Sequence, residues 1–180
     1  MAETGMFAEK WMKGVAVTTT CLAVMTAVAA ARGTACVSKT QLLTAIESSK
    51  WAYYQAKSIK QNLAETQVNS FEVELLGAAN EQQKALYEEK IKIAAGEIKR
   101  YDSEKNQIKT EAEETADKNK LMAKKGNFFS GAVVFFQIGI MLSSVAALLK
   151  KKFMWIVGLI FGVIAAVLLA YGLFLQPLLF

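Results

Sequence analysis

Histidine is absent from the 180 residues, proline occurs once and cysteine twice. Without histidine the chain lacks the side chain best suited to proton transfer near neutral pH, which is also the commonest metal ligand. Cys21 and Cys36 make neither a disulfide framework nor a metal site. On one helix they would stand ~22 Å apart at 1.5 Å per residue, too far to bridge within a chain. They read as two small apolar residues near a membrane.

Charge is missing from three long windows. No Asp, Glu, Lys or Arg lies between Gly14 and Ala31, between Gly126 and Leu149, or between Phe153 and Phe180. An ionised side chain in hydrocarbon costs several kcal/mol, so charge exclusion on this scale is the signature of membrane spans. The spans also lack any ionisable group that an ion-coupled transporter would use. Their polar residues are sparse and include Thr18, Thr19, Thr20, Thr26, Gln137, Ser143 and Ser144. Hydroxyls of this kind usually bond their own helix backbone.

A segregated basic face is missing too. From Arg32 to Lys125 there are 16 basic and 14 acidic residues, interleaved. Nucleic-acid binding needs the basic residues on one side, so it is not expected. Nor does any nucleophile stand beside a base, and there is no glycine-rich phosphate loop and no metal-ligand spacing. The Glu and Lys residues fall as i, i+3 and i, i+4 neighbours, as on a solvated helix. The expectation is a chain with no catalytic activity, cofactor, metal or small-molecule substrate.

What the sequence does contain is helix. The spacing predicts an all-α membrane protein with three transmembrane helices and a long soluble, coiled-coil-like antiparallel hairpin between the first and second. Residues 1–13 form a tail, with Trp11 and Lys13 suited to a membrane boundary. Residues 14–37 hold the first span and its junction. Its outline is that of a signal peptide ending at Ala27-Val28-Ala29, and we read it as an uncleaved anchor. Residues 38–126 form the hairpin. Residues 127–149 are the second span, and 153–180 hold the third span, Phe153 to Gln176, and a C-terminal tail; Lys150-Lys151-Lys152 joins the two spans. Pro177 falls where it cannot harm a helix interior.

Within the hairpin, Ser38-Lys-Thr-Gln41 fits a capping box. Leu42, Ala45, Ser49, Ala52, Ala56, Ile59 and Leu63 alternate by three and four, the a/d pattern of an alanine-rich coiled-coil seam. Residues 67–80 break the pattern and form the turn, with Gly77 a candidate left-handed cap and Asn80 an N-cap ahead of Gln83. The return arm resumes with Tyr87, Ile91, Ala94, Ile98, Tyr101, Lys105, Ile108, Ala112, Thr115, Asn119 and Met122. Gly126 is expected to end that helix.

Three features are candidates for contact rather than chemistry. Trp51, Tyr53 and Tyr54 cannot all face one seam, so at least one should reach a second partner. Gly158, Gly162, Ala166 and Ala170 place small residues on one face of the third span. Gly139, Ser143 and Ala147 do so on the second, and Thr19, Ala23, Ala27 and Ala31 on the first. Such faces serve packing within a protomer or between protomers. The seam residues Ala45, Ala52, Ala56, Ile91, Ile98, Tyr101 and Ile108 complete the set.

The segment SSKWAYYQAKSIKQNLAETQ, Ser48 to Gln67, resembles a signature of a bacterial membrane-protein family, domain-of-unknown-function family 4337. The likeness extends over essentially the whole length. It implies the three-span architecture and a bacterial inner-membrane location, and no activity. The expected function is a membrane-anchored scaffold that homo-oligomerises through coiled-coil and small-residue contacts. A pore subunit, with Gln137 as a polar ring, and an adaptor docking a protein through the hairpin aromatics are the alternatives. The short triple-lysine link should be cytoplasmic. That would put the N-terminus inside and the hairpin outside.

Overall fold

A computed structural model describes residues 2–174, with side chains from Trp11 onward. It contains three helices: α1 (Ala2–Leu76), α2 (Glu81–Leu149) and α3 (Lys152–Phe174), with no strand among the described residues. All three are long and apolar enough to cross a membrane. The chain divides into two compact units. One comprises residues 1–41 and 120–180, the other Leu42–Asn119.

The helices run on where the sequence pattern suggests stops. The first 13 residues, expected as a tail, are helical from Ala2. Ser38 caps nothing, because the amides after it already bond to the carbonyls of the preceding turn of α1. Residues 67–76 continue α1, so the connection shrinks to 77–80. Gly126 does not end α2. A Cβ there would lie 3.6 Å from Cys36 Cβ, and one on Gly33 would lie 3.5 Å from Phe129 Cβ. These glycines mark where α1 and α2 pass close to each other. The expected end of the third span at Gln176, and Pro177, lie outside the described residues.

Short-range hydrogen bonds build the two connections. At the hairpin turn, Gly77 N donates to Glu74 O (3.1 Å) and Ala78 N to Leu75 O (3.2 Å). Gly77 does not adopt a positive φ. Asn80 Oδ1 accepts from Gln83 N at 2.9 Å, and Gln83 Oε1 accepts from Ala79 N at 3.1 Å. That reciprocal pair satisfies two otherwise orphaned donors at the start of α2. The α2–α3 link uses a left-handed residue instead, Lys150 with φ 53°. Lys151 N then reaches back to Ala146 O (3.2 Å), the six-to-one bond of a Schellman cap.

In the first unit, parts of all three helices surround a small apolar core of Ala29, Phe129, Ala132, Phe136, Ala165 and Leu169. The α2–α3 backbones touch where glycine leaves room. A Cβ on Gly158 would sit 2.9 Å from Gly139 O, and one on Gly139 2.9 Å from Gly158 O. Leu22 of α1 closes over Gly162, and the Phe129 ring over Gly172. Trp155 Nε1 donates to Thr18 Oγ1 at 3.1 Å, tying α3 to α1. The hydroxyls of Thr18, Thr19, Thr20, Thr26 and Ser144 donate to backbone carbonyls of their own helices, at 2.7–3.0 Å.

Candidate functional site

The second unit is a two-helix hairpin, and its register is set by ladders of polar contacts. Lys50 Nζ meets Glu111 Oε2 at 3.3 Å and the Glu111 carbonyl at 3.2 Å. Lys57 pairs with Glu104. The two pairs are one heptad apart on each arm, in opposite directions, as an antiparallel coiled coil requires. Gln61 Oε1 accepts from Lys105 Nζ (2.8 Å), and Thr44 Oγ1 from Asn119 Nδ2 (2.9 Å). Near the turn, the Phe71 and Tyr87 rings lie 6.4 Å apart.

On the return arm, the hairpin residues of the expected seam, from Tyr87 to Asn119, are all buried or half-buried. Ile91, Ile98 and Tyr101 are half-buried; Ala94, Ile108 and Ala112 are buried. The alanines let the partner helix approach closely.

The outgoing arm is different. Its covered face is Leu43, Glu47, Lys50, Tyr54, Lys57, Gln61, Ala64, Val68, Phe71 and Leu75, alternating by four and three without a slip. The expected seam, Leu42, Ala45, Ser49, Ala52, Ala56, Ile59 and Leu63, is exposed at every position. At 100° per residue the centres of the two faces lie roughly 150° apart around the helix. The covered face works because long side chains lay their methylene stems along the return arm. Lys57 keeps 14% of its side-chain surface, with its amine 5.3 Å from the Tyr53 ring centre and 5.4 Å from that of Tyr101.

That amine is the most constrained charge of the hairpin. Its hydrogen bond to Glu104 raises the Lys57 pKa, opposed by desolvation and aided by Tyr53. The same hydrogen bond, with Arg100 adding to it, lowers the pKa of Glu104. Tyr87 is raised by its hydrogen bond to Glu74. These groups fasten the arms together. No cluster of three or more potential metal ligands occurs among the described residues.

The aromatic triplet splits. Trp51 and Tyr54 are half-buried and meet edge to face at 5.7 Å, and Tyr54 faces the Lys105 amine at 5.6 Å. Tyr53 stays 55% exposed, beside the uncovered row. In the spans, Gly158 and Gly162 are consumed by contacts within the protomer. The buried row of α3 then shifts to Ala165, Leu169 and Gly172, leaving Ala166 half-buried and Ala170 exposed. A four-residue repeat drifts around a helix of 3.6 residues per turn, so it cannot stay under one partner. Ala23, Ala27, Ala31 and Gln137 are exposed.

No curated protein and no solved structure matches this chain significantly. One family model does, the domain of unknown function DUF4337, over residues 11–175. That match takes in all of α3, all of α2 and α1 from Trp11 onward, and the chain is a member of the DUF4337 family.

Proposed function

We propose that this protein is an integral membrane scaffold without catalytic activity, anchored by three spans in a bacterial inner membrane. Its N-terminus is cytoplasmic and its hairpin lies on the opposite side. Protomers assemble when the uncovered face of α1 meets the same face of a second copy.

One observation carries the reading. Seven consecutive heptad positions from Leu42 to Leu63 bear no charge and are all exposed, while Lys50 and Lys57 of the same helix meet Glu111 and Glu104 of the return arm. Scattered surface leucines need no explanation, whereas a heptad row of this length is the pattern of a coiled-coil seam. Its flanks suit a second copy. In heptad terms the e and g positions are Gln41, Ile46, Ser48, Tyr53, Gln55, Lys60 and Asn62, of which Lys60 alone is charged. Two copies can therefore approach with almost no like-charge repulsion. Copies inserted in one membrane with one topology present this helix in the same direction, so the pairing is parallel.

The test is cysteine cross-linking in native membranes on a Cys21→Ala/Cys36→Ala background. Ala52→Cys and Ala56→Cys should give a covalent dimer under mild oxidation, and Gln61→Cys, on the covered face, should not. Gentle extraction should give a discrete mass above one protomer. A protomer-sized particle without cross-links would remove the scaffold reading. A protomer joined to a foreign chain would favour the adaptor, with Tyr53 as its contact.

A further inference from the structure

We infer that the first unit holds an anionic phospholipid by its headgroup phosphate. The inference rests on the reading of the three helices as membrane spans. The site is a cavity of about 210 Å³ lined by the middle of α1, the middle of α2 and the C-terminal end of α3, away from the Lys150–Lys152 link. Three cations line it: Arg32 and Lys39 from α1 and Lys125 from α2. Cys36, Phe129 and Leu173 supply apolar walls, and no carboxylate is among the lining residues.

Lys125 is the unusual member. It is only 7% exposed, yet none of the three cations pairs with a carboxylate among the described residues. Lysine is seldom this covered without a carboxylate partner. The Lys125 stem is packed away while its amine, not among the fully buried polar atoms, stays open to a ligand. Three like charges around one small cavity add mutual repulsion. A phosphate diester relieves that repulsion, since its oxygens accept from guanidinium and ammonium alike. Arg32 and Lys39, which are exposed, can close over it from the water side while their stems stay on the apolar wall.

Position and shape favour a lipid over a free anion. Arg32 and Lys125 border the charge-free windows, where phosphates of a bilayer lie, and Lys39 follows Arg32 two turns further along α1. The cavity has room for a phosphate with part of its glycerol, while the walls beneath are apolar. Gly172 keeps it open. A Cβ there would come within 3.0 Å of the Phe129 ring, forcing that wall to move. The second basic cluster, Lys150 to Lys152, does not line this cavity, which makes it a control.

The experiment uses the full chain in detergent with equimolar phosphatidylglycerol and phosphatidylcholine of identical acyl chains. Native mass spectrometry counts retained lipid. The expected result is one phosphatidylglycerol per protomer held in preference to phosphatidylcholine. At about a tenfold loss per 1.4 kcal/mol and about 1 kcal/mol per cation, Arg32→Gln/Lys39→Gln should lower the preference roughly thirtyfold. Lys125→Gln should lower it as well; if that variant misfolds, the exposed pair decides alone. Lys150→Gln/Lys151→Gln/Lys152→Gln should leave it unchanged. An equal loss in the triple variant, or no preference in the parent chain, overturns the site. Inorganic phosphate raising the melting temperature as much as phosphatidylglycerol would make the ligand a free anion and overturn the lipid. Flotation with pure phosphatidylcholine vesicles separates the two readings. A chain that floats without preferring phosphatidylglycerol loses only the site, and a chain that does not float loses both.

Discussion

The two arms of the hairpin meet along one seam but build their halves of it from different chemistry. The return arm contributes Ile91, Ala94, Ile98, Ile108 and Ala112, short or branched apolar side chains in one row with Tyr101, Lys105 and Thr115. The outgoing arm contributes Lys50, Tyr54, Lys57 and Gln61, long side chains whose stems bury and whose polar ends find Glu111, Lys105 and Glu104. A coiled-coil seam therefore does not need an apolar stripe on both helices. Where one helix supplies stems, its own apolar stripe is released for another purpose. That release leaves Leu42 to Leu63 uncovered, and it is why that face and not the hairpin seam is the candidate for assembly.

The sharpest way to break the comparison is a matched pair of isoleucines. Ile108, 8% exposed, should lose about 2–4 kcal/mol of hairpin stability on Ile108→Ala. Ile59, 66% exposed, should lose within about 0.5 kcal/mol on Ile59→Ala, while the native mass of the oligomer falls. Denaturation of the full chain in detergent, followed by circular dichroism, measures both. Equal losses would mean that the outward face is packed within the protomer after all.

A matched pair of glycines comes next. Gly158→Ala places a Cβ 2.9 Å from Gly139 O and should cost about 1–3 kcal/mol. Gly96 on the return arm has nothing within 4 Å, so Gly96→Ala should stabilise by about 0.5–1 kcal/mol through helix propensity. Thermal melts should show opposite signs.

The two connections give a smaller contrast. Lys150 holds φ 53°, which costs a side-chain-bearing residue about 1–2 kcal/mol, so Lys150→Gly should add about 1 kcal/mol of stability and raise the melting point. Gly77 needs no positive φ, and a Cβ there meets Glu74 O at an ordinary 3.7 Å. Gly77→Ala should therefore be tolerated, and a large loss would show that the turn takes another conformation.

The smallest effect is a pH dependence. Glu104 is lowered by Lys57, so its contribution is present above the ordinary glutamate value, about 4, and fades as pH falls below it. Lys57 is raised by Glu104, so its contribution holds below about 10 and fades as pH climbs through its raised pKa. Lys57→Met should flatten both limbs of a melting-temperature profile. If both limbs persist, other pairs set the pH dependence.

The chain's organisation was readable from local information. Charge-free windows gave the apolar segments, and unbroken alternation from Tyr87 to Asn119 gave the return seam, because there most of the covered positions are apolar. Asn80 and Gln83 gave the start of α2, since a cap depends on neighbours three residues apart. Ser38 and Gly126 lie inside helices because a residue that permits a stop does not impose one. The glycine cap failed at Gly77 and appeared at Lys150, where the short link forces the chain to reverse.

Sequence by itself determined the three apolar helices, the all-helical class and the heptad rhythm of both arms, since each follows from side chains a few residues apart. Tertiary structure decided which of two rhythmic faces on α1 is covered, which small residues of α3 touch α2, and that Arg32, Lys39 and Lys125 share a cavity. Those outcomes depend on contacts between residues tens of positions apart. Periodicity along one helix marks every face that is able to pack, and only the partner's position selects the one that does.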